Sequence, residues 1–470
     1  MRAKAAPAAQ PRLPVALQKR LADTGLPPGS FGVHAVDVDN GSTLLSMNAS
    51  EPFVMASTAK IVTSLAALDL LGPNYRWRTR AYVRGLLADG HLYGDLILVG
   101  GGDVLLSTEE LLAWFASMQA KGLQHVHGRI LLDRAAFRLG ADDFVGTPEP
   151  APNRPHHIRP NALTLDAGVI RVAVQTARGG LAQVHVNPPL QGVQVLNSVA
   201  THGGCNAFAT YRLPRGGDGE MAQLQIRGNW SSSCGTREIA FAPLPVEELM
   251  SRAVGQLWRD AGGHLSGEVC DDDDARRDTT LPSERPGQPL QLWSVHGSPS
   301  LAQWIHGMNK VSDNVAARHL MLSMAPGFPR RPATMDGAQA RVRTWLQSQG
   351  LQAGDLALDN GSGLSRAEKA RPWALVHLLR RAWSSSHAQT FIDSLPVSGV
   401  DGTLMHRLGG PGVRGRAHLK TGTLLDARAL AGYVHARNGR WYAVSTLVNH
   451  PEAALGTPAL DAIIDWIAAR

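Results

Sequence analysis

The two ends of this chain are written in the same grammar, and that pairing most limits what it can fold into. Residues 31–48 alternate apolar and polar side chains around Asp39-Asn40-Gly41, and Ile61, Val62, Leu65 and Leu68 follow at helical spacing. Residues 430–448 alternate again around Asn438-Gly439, and Leu460, Ile463, Ile464 and Ile467 then line one face of a closing helix. Asn-Gly between alternating runs predicts a hairpin, because both residues accept the positive φ that a tight strand reversal needs. Apolar residues three and four apart predict a helix with one buried face. The two ends therefore predict one α/β domain, interrupted by whatever lies between them.

What lies between has another texture. Over residues 77–287, short apolar runs at 96–99, 130–132, 169–174 and 223–226 alternate with clusters of Gly, Pro, Asn and Asp. That pattern predicts a β-rich inserted region of two subdomains, broken by a single helix with Val246, Leu249, Met250, Ala253, Val254 and Leu257 on one face. The acidic run Asp271–Asp274 and residues 282–289 read as its exit linker. The outer domain is then discontinuous, residues 15–76 and 288–470. At 470 residues the chain is long enough for two or three domains.

A net charge of +7 suits an anionic partner, yet the basic residues are scattered and form no patch interleaved with aromatics. Nucleic acid is not expected. No run of eighteen apolar residues occurs, so no transmembrane segment is expected, and peripheral contact with a membrane stays open. Residues 1–14 lack the apolar core of an export signal. The chain is then either cytoplasmic or an exported protein whose signal has been cut away. Cys205, Cys234 and Cys270 match no zinc spacing. They read as buried thiols, or as a Cys205–Cys234 bridge with Cys270 left over. No cofactor or metal is expected. No helix carrying Lys-Ser/Thr follows Gly100–Gly102, as a phosphate loop requires, and neither His156-His157 nor the aspartate run has complementary ligands at useful spacing.

Three short motifs carry the chemistry: Ser57-Thr58-Ala59-Lys60, Ser312-Asp313-Asn314 and Lys420-Thr421-Gly422. Alone, the first is a helix-capping serine with a surface lysine, the second an Asx turn, the third the start of a strand. Together they supply what acyl transfer needs. Ser57 and Lys60, three apart at a helix start, project from one face, and a lysine deprived of solvent can take the proton from a serine hydroxyl. Ser312 and Asn314 set a proton shuttle and an amide beside them. Lys420 and Thr421 offer a cation and a donor for a carboxylate, and Gly422 lets an extended ligand approach the strand.

In this order and setting the motifs resemble the penicilloyl serine transferase superfamily. The long insertion after the Ser57 helix narrows the resemblance to class C low-molecular-mass penicillin-binding proteins, the D-alanyl-D-alanine carboxypeptidase/endopeptidase family of the penicillin-binding protein 4 type. Gly100-Gly101-Gly102-Asp103, Met308-Asn309-Lys310, residues 359–366 (DNGSGLSR) and residues 395–404 (LPVSGVDGTL) agree with it. The resemblance implies an antiparallel sheet flanked by helices, a β-lactamase-like transpeptidase domain. It implies action on peptidoglycan stem peptides through an acyl-enzyme on Ser57, covalent inhibition by β-lactams, and a place in the periplasm or cell envelope. By the same resemblance Lys60 is the base, and Ser312 with Lys420 returns the proton to the leaving D-alanine. Asn314 holds the peptide amide, Thr421 the terminal carboxylate, and the N–H groups of Ser57 and Thr423 the oxyanion. Arg366 and Asp133 contact the diamino-acid side chain. Leu425 stands where relatives carry a polar residue.

Two other readings have support. A serine β-lactamase shares the motifs, but it lacks such an insertion and needs a group to activate the deacylating water, for which no glutamate stands out. A non-catalytic penicillin sensor or wall-binding protein is a different class, against which the complete motif set argues. A hydrolase of unrelated D-amino-acid amides is a third.

Overall fold

In this computed structural model the described residues are 13–140, 143, 155, 158–177, 179–213, 221–272, 281–282 and 285–470. The two ends do share one sheet. Its strands run in the order Ala417–Leu424, Ala427–His435, Trp441–Asn449, Phe31–Asp37, Thr43–Met47, all neighbours antiparallel. Both Asn-Gly turns sit where the alternation predicts them, between strands that pair directly. The first strand docks against the last along its whole length, Phe31 opposite Val448 and Asp37 opposite Tyr442.

Both faces of this sheet are covered, which explains why its central strands are buried almost throughout. On one face lie the terminal helices Val15–Ala22 and Thr457–Ala468, with Leu17, Leu21, Leu460, Ile463 and Ile467 in the core. On the other face lie the helices Ala59–Leu71, Leu301–Val311, Asn314–Ser323, Met335–Ser348 and Pro372–Trp383. The Ala59–Leu71 helix is buried on every side from Ala59 to Leu68. A helix so enclosed can hold a charged side chain only at a cost, which makes Lys60 informative.

The inserted region leaves at Trp77 and folds around a sheet of its own, ordered His264–Leu265, His125–Val126, His91–Val99, Arg78–Ala88, Leu290–Gly297, with Ile130–Asp133 and Val269–Asp271 paired off that path. Two three-stranded sheets complete it. Three sequence readings need correction. Leu290–Gly297, placed in the outer domain by the boundary at 288, pairs with Arg78–Ala88 from Gly297–Arg78 onward, so the insertion closes on its own entry strand. The region also holds a second helix, Thr108–Ala120, started by a capping box between Ser107 and Glu110. Asp271 ends a strand and pairs with Arg134 rather than lying in a solvated linker, and Asp272 is buried. Asp273, Asp274, His156 and His157 lie outside the described residues. Cys205 and Cys234 form a disulfide, in which Cys270 takes no part. No helix among the described residues is long and apolar enough to cross a membrane.

Candidate active site

Ser57 sits in a single 3-10 turn, Ala56–Thr58, at the head of the Ala59–Leu71 helix. Ala56 just before it has φ 47°, a left-handed conformation that costs a non-glycine residue free energy and gathers at functional sites. The turn is clamped from two sides. A Cβ on Gly363 would fall 2.0 Å from the Ala56 carbonyl oxygen and 2.6 Å from the Ser57 nitrogen. One on Gly422 would meet the Met55 carbonyl at 2.9 Å. A glycine of the 359–366 stretch and one of the Lys420-Thr421-Gly422 motif thus let their chains press on the backbone that carries Ser57.

Lys60 has no exposed surface. Its Nζ lies 3.2 Å from Ser57 Oγ, 2.6 Å from Asn314 Oδ1 and 2.5 Å from the Ser362 carbonyl. Burial lowers its pKa to about 7; Glu368 and Asp313 pull the other way, and Arg318 adds to the lowering. A neutral amine has two N–H donors and one lone pair. Two donors match the Asn314 and Ser362 oxygens, and the lone pair then faces the Ser57 hydroxyl. That is the arrangement of a general base.

The second motif divides its labour. The helix Leu301–Val311 ends at Ser312, itself left-handed at φ 61°, and Asp313 Oδ1 accepts the N–H groups of Val315 and Ala316 to cap the next helix. With Asp313 so engaged, Ser312 and Asn314 turn to the two lysines: Lys420 Nζ donates to Ser312 Oγ at 2.9 Å, Asn314 accepts from Lys60. Lys420 is equally enclosed, and burial first, then the charge of Lys60, pushes its pKa well down. Its strand, Ala417–Leu424, is the edge of the sheet, as a peptide-binding strand requires. Thr421 is half-buried there and Thr423 exposed; the Thr421 hydroxyl lies 2.8 Å from that of Thr403. Leu425 is 76% exposed.

Two residues were not singled out from the sequence. Glu368, fully buried, gathers N–H groups of Asp359, Asn360 and Gly361 on Oε1 and of Gly363 on Oε2. Its own carbonyl takes the Met55 N–H. It therefore fixes the loop that aims the Ser362 carbonyl at Lys60, together with the turn that carries Ser57. Burial raises its pKa to about 7, against the pull of those N–H groups. Thr403 is the other; Lys310, bonded to Asp401 and to the Leu395 carbonyl, ties its loop down. Both lie in or beside stretches picked out above, but Glu368 works through backbone N–H groups and Thr403 through a hydroxyl contact, neither of which spacing reveals.

The two remaining residues behave differently from each other. Arg366 faces Asp426, with one aligned hydrogen bond, Nε to Oδ2 at 3.1 Å, and a closer, poorly aligned contact, Nη2 to Oδ1 at 2.7 Å. Asp133 is 1% exposed at the end of Ile130–Asp133, and its Oδ1 accepts the Ala135 N–H. A carboxylate sealed in this way stabilises a strand end and does not meet a substrate amine. The structure therefore corrects that assignment, which rested on position in the insertion rather than on accessibility.

Comparison with known proteins identifies the family. The model of the D-Ala-D-Ala carboxypeptidase 3 (S13) family matches residues 13–470. A D-alanyl-D-alanine carboxypeptidase from Actinomadura sp. (strain R39) is 30% identical, covering 96% of this chain and 82% of that protein. Another from Haemophilus influenzae is 26% identical over 90% of this chain and 86% of its own. Among solved structures, penicillin-binding protein 4 of H. influenzae superposes with a TM-score of 0.74 at 22% identity, covering 96% of this chain and 98% of that one. A penicillin G-acylated predatory endopeptidase from Bdellovibrio bacteriovorus shares the fold at 0.52 and 15%, over 93% of this chain and 90% of that one. With a family match over almost its whole length and the three motifs assembled in one cleft, the chain belongs to the D-Ala-D-Ala carboxypeptidase S13 family, the penicillin-binding protein 4 type.

Proposed function

We propose that the protein is an exported serine D-Ala-D-Ala carboxypeptidase of the cell envelope, with endopeptidase action on cross-links open to it, acting on peptidoglycan stem peptides and trapped by β-lactams. One observation carries the reading: a serine hydroxyl 3.2 Å from an enclosed amine whose pKa is near 7 and whose other partners are neutral oxygens. Ser57 Oγ attacks the carbonyl joining the two D-alanines as its proton passes to Lys60 Nζ, and the C–O bond of an acyl-enzyme forms. The C–N bond then breaks, and the leaving amine takes a proton through Ser312 from Lys420. Water then cleaves the ester, passing a proton back to Lys420 through Ser312, while Lys60 returns its proton to Ser57 Oγ. The N–H groups of Ser57 and Thr423 hold the oxyanion, Asn314 the peptide amide, and Thr421 with Thr403 and Lys420 the terminal carboxylate. Arg366 contacts the diamino-acid side chain of the stem peptide.

The Cys205–Cys234 disulfide supports an oxidising compartment, hence the periplasm or cell envelope. Intact mass spectrometry with a penicillin tests the reading. One added drug mass, mapped to the Ser57 peptide and absent from Ser57→Ala, is the expected result, with D-alanine release from an acyl-D-Ala-D-Ala peptide lost in the same variant. An adduct elsewhere, or neither an adduct nor Ser57-dependent D-alanine release, overturns it. Release of D-alanine without a lasting adduct keeps the carboxypeptidase and removes the β-lactam sensitivity.

A further inference from the structure

We infer that the insertion carries a transition-metal site, formed by His91, His125 and His127 with His264 at its rim, for a divalent cation of the zinc, copper or nickel class. The sheet itself assembles it. Strands His91–Val99, His125–Val126 and His264–Leu265 lie side by side and parallel, with His91 opposite His125 and His125 opposite His264. Three imidazoles thus stand in a row across neighbouring strands. His127, two residues after His125, returns to the same face.

The distances suit a shared cation. His91 Nδ1 lies 3.0 Å from His127 Nε2, and one donor nitrogen from each of His91, His125 and His127 falls within 4.8 Å of the others. Nitrogens on a tetrahedral zinc with bonds of about 2.0–2.1 Å stand roughly 3.3 Å apart, so small ring rotations close the site. The rings are already ordered: His125 and His127 stack at 4.0 Å, and Tyr93 stacks on His127 at 4.6 Å. Ser266 Oγ lies 2.8 Å from His125 Nε2 and holds that ring, as outer partners of metal-bound histidines do. All three rings are half-buried, and His264 is exposed beside them. Neutral imidazole is the ligating form. An all-nitrogen donor set suits zinc, copper or nickel; calcium and magnesium demand oxygen.

The site is not part of the acylation machinery. His91 and Val99 are separated by eight residues of strand, about 26 Å at about 3.3 Å per residue, and it is beyond Val99 that the insertion meets the outer domain, where the Gly102 carbonyl bonds His319. A cation at the far end fastens three strand starts together where the edge strand, His264–Leu265, is only two residues long.

The full chain, stripped with a chelator, is titrated calorimetrically with zinc, and the copper(II) form is examined by electron paramagnetic resonance. One tight equivalent of zinc and hyperfine coupling to several nitrogens are expected. His91→Asn/His127→Asn should weaken that equivalent by on the order of 100-fold or more, and Ser266→Ala by about 10-fold. Penicillin acylation at Ser57 should stay at the wild-type rate in both, which also reports that the variants fold. No tight equivalent, an equivalent unchanged in the double variant, or a copper spectrum without several nitrogens overturns the site. Should the double variant lose acylation and so its fold, the copper spectrum and Ser266→Ala decide.

Discussion

Lys60 in the outer domain and Arg84 in the insertion are both almost sealed from water, and the molecule treats their charges in opposite ways. Arg84 faces Asp95 directly across a strand pair, Nη2 to Oδ2 at 2.8 Å, and Asp95 also accepts the Arg129 N–H. Those contacts outweigh the upward push of burial and hold the Asp95 carboxyl below its ordinary pKa, so the pair stays ionised. Lys60 is bonded instead to a hydroxyl, an amide oxygen and a carbonyl, and burial wins. One region neutralises a charge with a countercharge; the other starves it until the proton leaves. The second arrangement is poor for stability and good for a base, so it marks the reaction centre more sharply than any motif.

The comparison breaks first at Lys60. Lys60→Ala should slow penicillin acylation by about 10²–10⁴-fold, as loss of a general base does, with folding intact because a neutral amine and not half of an ion pair is removed. In the wild type, the acylation rate should fall as pH drops below about 7, since protonation removes the lone pair that accepts the Ser57 proton. A flat profile through that range, or near-normal acylation by Lys60→Ala, would assign the base elsewhere.

Arg84→Leu should give the converse. It leaves Asp95 ionised and unpaired in a buried place, which typically costs about 3–5 kcal/mol. Denaturant unfolding should show the loss, while acylation per folded molecule stays unchanged. If acylation falls along with stability, the insertion is not energetically separate from the cleft.

How much of this was legible in the sequence follows from the same contrast. Motif lysines and serines could be placed because each motif is local and its neighbours announce a helix start or a strand. Both Asn-Gly hairpins were legible for that reason. The Thr108–Ala120 helix went unread although Ser107 and Glu110 signal its start, because β-like runs surround it. Glu368 was hidden: its partners are backbone N–H groups of a loop, which leave no periodicity. Asp133 was misjudged because apolar neighbours, Leu131 and Leu132, mark a strand but do not tell whether its end is covered. The row of histidines went unread, since it is assembled by strand register.

Glu368 sharpens the contrast at a smaller scale. Glu368→Gln keeps an acceptor for Asp359, Asn360 and Gly361 but turns an amide N–H₂ toward the Gly363 N–H. An unsatisfied buried donor costs about 1–3 kcal/mol. Because the Glu368 charge supports the protonated lysine, its loss should also move the midpoint of the acylation profile below about 7. A fall in rate with an unmoved midpoint would make Glu368 a purely mechanical brace.

The smallest effect belongs to the cleft's rim. Arg366 and Asp426 are partly exposed, 30% and 44% by side chain, so their pairing contributes little, typically below about 1 kcal/mol. Its consequence is for selection rather than stability. While Asp426 occupies the guanidinium, a substrate carboxylate must compete for it. Asp426→Asn removes that competitor and keeps the shape. For stem peptides whose diamino-acid side chain bears a carboxylate, kcat/KM should rise by up to about 5-fold, within the range of one exposed ion pair. Peptides with that carboxylate amidated should be unaffected, and so should acylation by a simple penicillin. A rise with both peptides would place Asp426 in general access to the cleft, and a fall with both would show that it positions Arg366 for the substrate instead of competing with it.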